Sequence, residues 1–129
     1  MTKAREAVLA ALDAASEPLS AAGAIAALGG ACDQATVYRA LHYLEESGRA
    51  ESFVLQCDEH GVERYYVSRG SAHRHWFHCE SCHRFTDLGA CRIGGLVKQV
   101  ERELGLRVAR HTLYMTGQCS RCARKAGPV

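Results

Sequence analysis

Apolar residues recur at helical spacing three times within the first fifty positions, then gather into short runs separated by turn-forming residues. Residues 3–15 place Ala7, Val8, Ala11 and Leu12 on one helical face, and Pro18 follows soon after. Ser20 can cap a second short helix carrying Ala24, Ile25 and Leu28, which Gly29-Gly30 stops. Asp33 is a good cap for a third helix, with Val37, Leu41 and Leu44 as its stripe, Ala40 beside them and Gly48 at its end. Three short helices joined by tight turns predict a helix-turn-helix skeleton. Residues 51–56 and 64–67 are rich in strand formers, and Cys57-Asp58-Glu59-His60-Gly61 separates them as a hairpin turn would. A hairpin directly after the third helix is the wing of a winged helix. Arg69-Gly70-Ser71 reads as a hinge. Beyond it, residues 74–79 and 84–88 predict strands. Residues 91–104 predict a helix through Leu96, Val97, Val100 and Leu104, closed by Gly105, and residues 106–117 a long strand. A short basic tail, Arg121 to Lys125, follows. The expected fold class is α+β, with an N-terminal winged helix-turn-helix over residues 1–70 and a small α/β domain over 71–129.

Composition narrows the setting. At 129 residues with 47% hydrophobic side chains, the chain can bury one ordinary core or two small ones, which argues against disorder. No apolar run approaches the roughly 20 residues needed to cross a bilayer. The start, Met1 to Glu6, leads into an amphipathic segment and not a signal-peptide core, so a cytoplasmic location is expected. Seven cysteines in a reducing compartment read as metal ligands sooner than disulfides. Net charge is only +2; residues 1–50 hold four basic groups against six acidic ones, and residues 51–129 twelve against eight. Any nucleic-acid contact by the first half must rest on where its few cations sit.

Two cysteine pairs carry the strongest chemical signal. In Cys79-x-x-Cys82 and Cys119-x-x-Cys122 the spacing lets both thiolates of a pair reach one ion, and two pairs complete a four-sulfur tetrahedral shell typical of structural zinc. The 36 intervening residues require folded structure to bring the pairs together. A set of reduced, buried cysteines is the plain alternative, and oxidation that ejects zinc is a conceivable side effect. The same stretch and its flank hold His73, His75, His78, His83, Cys91 and His111. His73 and His75 alternate along a predicted strand, so both imidazoles emerge on one face and can share an ion.

The third helix offers a different chemistry. Thr36, Tyr38, Arg39, His42 and Tyr43 lie off its apolar stripe and expose hydroxyls, a guanidinium and aromatic faces. Such groups bind phosphates and read base edges in a major groove, although a solvated helix face would look the same.

Ala35-Thr36-Val37-Tyr38-Arg39-Ala40-Leu41, followed by Leu44 and Gly48, resembles the signature helix of the ferric uptake regulator family of bacterial metal-responsive repressors. The downstream order agrees: His73-x-His75, Cys79-x-x-Cys82, Gly105-Leu106, His111-x-Leu113-Tyr114, Gly117 and Cys119-x-x-Cys122, with Thr2-x-x-Arg5 upstream. The resemblance implies a winged-helix domain hinged to a dimerisation domain, acting as a homodimer on palindromic, double-stranded operator DNA. By resemblance, Tyr38 contacts bases while Thr36 and Arg39 hold the backbone. Relatives carry a further helix with a basic residue that enters the minor groove; Lys3 and Arg5 are expected to substitute for it in part.

The resemblance also assigns a second, regulatory divalent metal beside the structural zinc, with His111 as third ligand after His73 and His75. Many relatives supply an acid as the fourth, but counting from Cys79 that position is Gly94. Cys91, three residues earlier on the predicted helix, is the expected replacement, with Asp87 or water as alternatives. Three histidines with a thiolate favour zinc over iron. A further family site at the hinge is expected to be absent or altered, because Arg69, Arg74 and Trp76 stand where ligands would be, leaving only Glu51 and Asp87. Cys57, Asp58, His60 and Glu63 in the wing read as a solvated turn, His42 and His83 as surface residues, and His78 receives no role.

The resulting expectation is a zinc-responsive transcriptional repressor of metal uptake genes, closest in character to zinc uptake regulators. Iron-, nickel- and peroxide-responsive repressors are the rivals within the family. Outside it, a zinc-ribbon protein-interaction module leaves the third helix unexplained. A zinc hydrolase or deaminase is disfavoured, because the histidine set has no evident general base beside it and no His-Glu-x-x-His motif occurs.

Overall fold

Thr2 accepts the Arg5 amide on its hydroxyl at 3.2 Å and starts helix α1, Lys3–Ala14. The Ser20 hydroxyl caps α2, Ala21–Ala27, through the Gly23 amide at 3.1 Å. The Asp33 carboxylate caps α3, Gln34–Glu46, through the Thr36 amide at 2.7 Å. Each cap satisfies an amide that the first helical turn leaves without a partner. The structure, a computed structural model, describes residues 1–70 and 73–126. Helix α3 ends in a Schellman closure, with the Arg49 amide on the Leu44 carbonyl at 2.8 Å and Gly48 at φ 79°. That left-handed position suits glycine because a Cβ would crowd the following carbonyl.

Val8 and Leu12 of α1, Ala24 of α2 and Val37, Leu41 and Leu44 of α3 pack into one core. Val8, Val37, Leu41 and Leu44 are completely buried, each contributing about 1.5–3 kcal/mol through lost apolar contact with water. A three-stranded antiparallel sheet covers this core, formed by β1 (Leu19–Ser20), β2 (Ala50–Cys57) and β3 (Gly61–Ser68) in the order β1-β3-β2. The β2–β3 hairpin is in register from Ala50↔Ser68 to Cys57↔Gly61, and Phe53 stacks on Tyr65 at 6.0 Å. Helix-turn-helix plus hairpin is a winged helix. The expected strands lengthen by a few residues, and β1 is an addition: two residues are too few for a periodicity to register.

Backbone contacts divide the chain into Met1–Ala72 and His73–Val129. Ser71 of the expected hinge lies outside the described residues. In the second unit β4 (Arg74–Cys79) is the middle strand of a three-stranded sheet, antiparallel to β5 (Phe85–Ala90) and parallel to β6 (Tyr114–Gly117). Helix α4 (Gly94–Leu104) follows β5, and α5 (Ser120–Ala126) follows β6.

Three expectations for this half need correction. The helix begins at Gly94, so Cys91 lies in the turn before it. Arg92 of that turn bonds back through Nε to the Leu88 carbonyl of β5 at 3.1 Å, and within β5 the Gly89 amide bonds Asp87 at 2.7 Å. The long strand over 106–117 reduces to Tyr114–Gly117. Just upstream, the Leu113 carbonyl faces the His75 imidazole at 3.1 Å, so a side chain takes an acceptor that a ladder would use. The basic tail is helical, where the sequence reading assigns no element. Among the described residues, no helix is long and apolar enough to cross a membrane.

Candidate metal centres and nucleic-acid face

Cys79 closes β4 and Cys82 sits in the turn that follows, which the His83 amide tightens by bonding the Cys79 carbonyl at 2.9 Å. Cys119 and Cys122 stand at the start of α5, just after β6 pairs with β4 through Cys79↔Gly117. Parallel pairing therefore brings together two motifs that are 36 residues apart. The four Sγ atoms lie within 4.8 Å of one another, and Cys82 and Cys119 are 3.9 Å apart. A Zn–S bond of about 2.3 Å implies tetrahedral edges of about 3.8 Å, so the quartet fits a four-sulfur ion. Burial would push the Cys79 thiol up, but backbone amides from Cys82, Cys119 and Ser81 outweigh it and bring it to about 5. Cys122 is pushed up to about 12, first by its contact with Cys119 and then by burial. Thiolates packed this closely need a cation between them.

The second cluster converges on His111. Its Nε2 lies 3.0 Å from His73 Nε2, 3.2 Å from His75 Nε2 and 3.4 Å from Cys91 Sγ. All four ligand atoms fall within 4.8 Å of one another. The bond from His75 Nδ1 to the Leu113 carbonyl decides a tautomer. A carbonyl only accepts, so Nδ1 carries the hydrogen and Nε2 presents a lone pair to the cluster. His73, on the same side of the chain two residues earlier, adds a second ring, set edge-on to His75 at 4.5 Å between centroids. With each Nε2 deprotonated, the three rings would turn lone pairs on one point, which a shared divalent ion satisfies together. The set of three nitrogens and one sulfur can hold a tetrahedral ion such as zinc.

Asp87, an alternative fourth ligand, is committed elsewhere: one oxygen meets Arg74 Nη1 at 2.7 Å and the other accepts the Gly89 amide. Glu51 pairs with Arg69 at 3.1 Å. Both carboxylates considered for a hinge site are thus occupied by arginines within their own units. In the wing, Asp58 and His60 are exposed as expected, but Glu63 is half-buried and Cys57 is buried. His83 is half-buried in a left-handed conformation, φ 63°, and is not the free surface residue expected. His78 is 2% exposed, its ring 5.0 Å from Phe85. The string His78-Cys79-Glu80 has the His-x-Glu spacing of zinc deaminases, but among the described residues His78 joins no group of potential metal ligands.

On α3, Tyr38 is half exposed, and Arg39 Nη2 donates to the Thr36 hydroxyl at 3.4 Å. His42 and Glu46, one turn apart, are 3.2 Å from each other. The Arg5 guanidinium lies over the Tyr43 ring, 3.7 Å from its centre. No sequence signal could have paired Arg5 with Tyr43, because they meet only when α1 crosses α3. Lys3, at the start of α1, is exposed.

The model of the ferric uptake regulator family matches residues 1–116. A ferric uptake regulation protein of Neisseria meningitidis serogroup B is 33% identical over 91 residues, 70% of this chain and 60% of its own length. The chain thus spans about 60% of the curated relatives it matches. The Helicobacter pylori ferric uptake regulator, whose structure reveals three functional metal-binding sites, aligns at TM-score 0.73 and 21% identity, covering 95% of this chain and 81% of that one. A zinc uptake regulator solved with zinc and DNA aligns at TM-score 0.65 and 21% identity, over 98% and 85%. These structures share the fold. With the family match extending over nine tenths of its length, the chain belongs to the ferric uptake regulator family.

Proposed function

We propose that this protein is a zinc-responsive, DNA-binding transcriptional repressor of metal uptake genes, working as a cytoplasmic homodimer and not as an enzyme. The observation that carries this reading is the convergence of His73, His75, Cys91 and His111 on one point, in a chain that also has a winged helix. The donor set contains no carboxylate and includes a thiolate, which favours zinc over iron(II).

Zinc held by the four cysteines would supply a crosslink within the second unit, and zinc at the histidine cluster a signal. His73 is the first residue of that unit, and His75 lies on its middle strand. Cys91 and His111 lie in irregular segments before α4 and before β6. Joining these four side chains stiffens the start of the unit and restricts how the winged helices of a dimer can be presented. A preference of the ion for the DNA-competent form is what shifts the equilibrium. Tyr38 is assigned to base contacts, Thr36 and Arg39 to the backbone, and Lys3 and Arg5 to the flank of the adjacent minor groove, in partial place of the basic residue that relatives carry there. Half-sites about one turn of DNA apart fit such a dimer. Helix α4 supports dimer formation: none of its residues is buried, and Leu96 and Leu104 are 57% and 67% exposed. Apolar side chains aligned on one amphipathic helix are a usual mark of an interface.

Gel shifts with a promoter duplex, run with zinc and after complete chelation, test the reading. Zinc-loaded protein should bind at least 100-fold more tightly; equal binding by metal-free protein would reject the sensor function. Replacing Cys91 with Ser should weaken the second zinc by on the order of 100-fold, at or above the usual loss for a metal's supporting residue. In the cobalt-substituted protein it should also remove the sulfur-to-metal absorption contributed by this site. Unchanged affinity would return Cys91 to a packing role.

A further inference from the structure

Residues 1–72 hold six basic side chains against ten acidic ones, so the DNA-reading unit has no favourable overall field. Two of its arginines nevertheless share one open groove of about 460 Å³ between α1 and α3, lined by Arg5, Tyr38, Arg39, His42, Tyr43 and Glu46. The Arg5 guanidinium lies 3.7 Å from the centre of the Tyr43 ring. Tyr43 is itself partly buried and packs against the core of the unit, which fixes the ring. A guanidinium held this close over a ring keeps N–H donors that the ring cannot accept in full and that remain for an anion. Arg39, four residues before Tyr43, is its neighbour on the same helix face. The groove's acid, Glu46, is 3.2 Å from His42, so two guanidinium groups face one carboxylate already engaged by an imidazole.

We infer that this groove seats a DNA backbone phosphate between Arg5 and Arg39, with Tyr43 as the positioning residue that holds Arg5 in place. The inference rests on the DNA-binding reading above. Freed from the ring, Arg5 would spread over many rotamers and leave its phosphate contact unmade in the complex. Stacked on Tyr43, it meets the duplex already oriented.

The test compares zinc-loaded wild type, Tyr43→Phe, Tyr43→Leu, Arg5→Ala and the double variant Arg5→Ala/Tyr43→Leu on one operator duplex across a salt series. Tyr43→Phe keeps the ring and should bind as wild type. Tyr43→Leu should lose about fivefold in affinity, the scale of an exposed cation–π contact converted to a ratio. In both Tyr43→Leu and Arg5→Ala the slope of log affinity against log salt should fall by about 0.9, the signature of one lost phosphate contact. The double variant should be no weaker than Arg5→Ala. Loss of core packing alone would lower the melting temperature without changing that slope. Unchanged slopes, or losses that add in the double variant, would overturn the inference while leaving wild-type DNA binding intact. Wild type that binds no duplex would reject the functional reading and the inference together. The ring-current shift on the Arg5 side-chain protons, present in wild type and Tyr43→Phe and lost in Tyr43→Leu, checks the stack without DNA. Its absence in wild type would also overturn the proposal.

Discussion

Cys79→Ser should cost the protein its structural ion and, with it, the ordered state of the second unit. Cys79 is the one fully buried member of the quartet, and its sulfur accepts backbone amides from both Cys82 and Cys119 at 3.4 Å. It therefore ties together the turn after β4 and the start of α5. A structural zinc site contributes an apparent 10–16 kcal/mol or so in small domains, as much as the whole stability of about 5–15 kcal/mol typical of a folded protein. The second unit has little else to rely on: among its described apolar residues only Trp76 and Cys79 are buried. Metal analysis should show one zinc fewer per chain, and dispersed amide resonances from residues 73–126 should collapse. The winged helix, with its own core, should retain its signals. A Cys79→Ser protein that kept its zinc and melted like wild type would refute the structural assignment.

The other large effect is expected at His111. Its Nε2 is the common neighbour of His73, His75 and Cys91, so removing it takes away the atom around which the cluster is arranged. His111→Ala should weaken the regulatory metal by at least about 100-fold, more than loss of a supporting residue beyond the ligands costs. An ion shifts a two-state equilibrium only while bound and only by its preference for one form, so a site left empty at the working zinc concentration gives no response. Zinc content should drop from two per chain to one, with the quartet still loaded, and operator affinity with zinc should fall to the metal-free level. Retention of a full zinc response by His111→Ala would place the sensor elsewhere.

The helices of the winged domain were legible because their signals are local. A cap three residues before a bonded amide, an apolar face every three or four positions and a glycine at the end all lie within one stretch of chain. Ser20, Asp33 and Gly48 each sit at the helix end that the sequence assigns to them. The second unit was less legible because its short segments take their form from distant neighbours. Leu113 ends as an acceptor for His75 instead of a ladder position, and Cys91 comes to the cluster from a turn and not from the expected helix. Spacing along the predicted helix puts Cys91 on a face it does not occupy, yet its sulfur lies beside His111.

Residue type and spacing by themselves determined the winged helix, the cysteine pairs and the chemistry available to the histidines, because caps, periodicity and paired ligands are properties of neighbouring residues. Only the tertiary structure decided which distant groups share a point in space. Parallel pairing of β6 with β4 closes the cysteine quartet across 36 residues. It also sets the carbonyl that fixes the His75 tautomer, while the crossing of α1 and α3 lays Arg5 on Tyr43. Those contacts depend on how strands and helices pack, and packing is settled by the whole core at once rather than by any one segment.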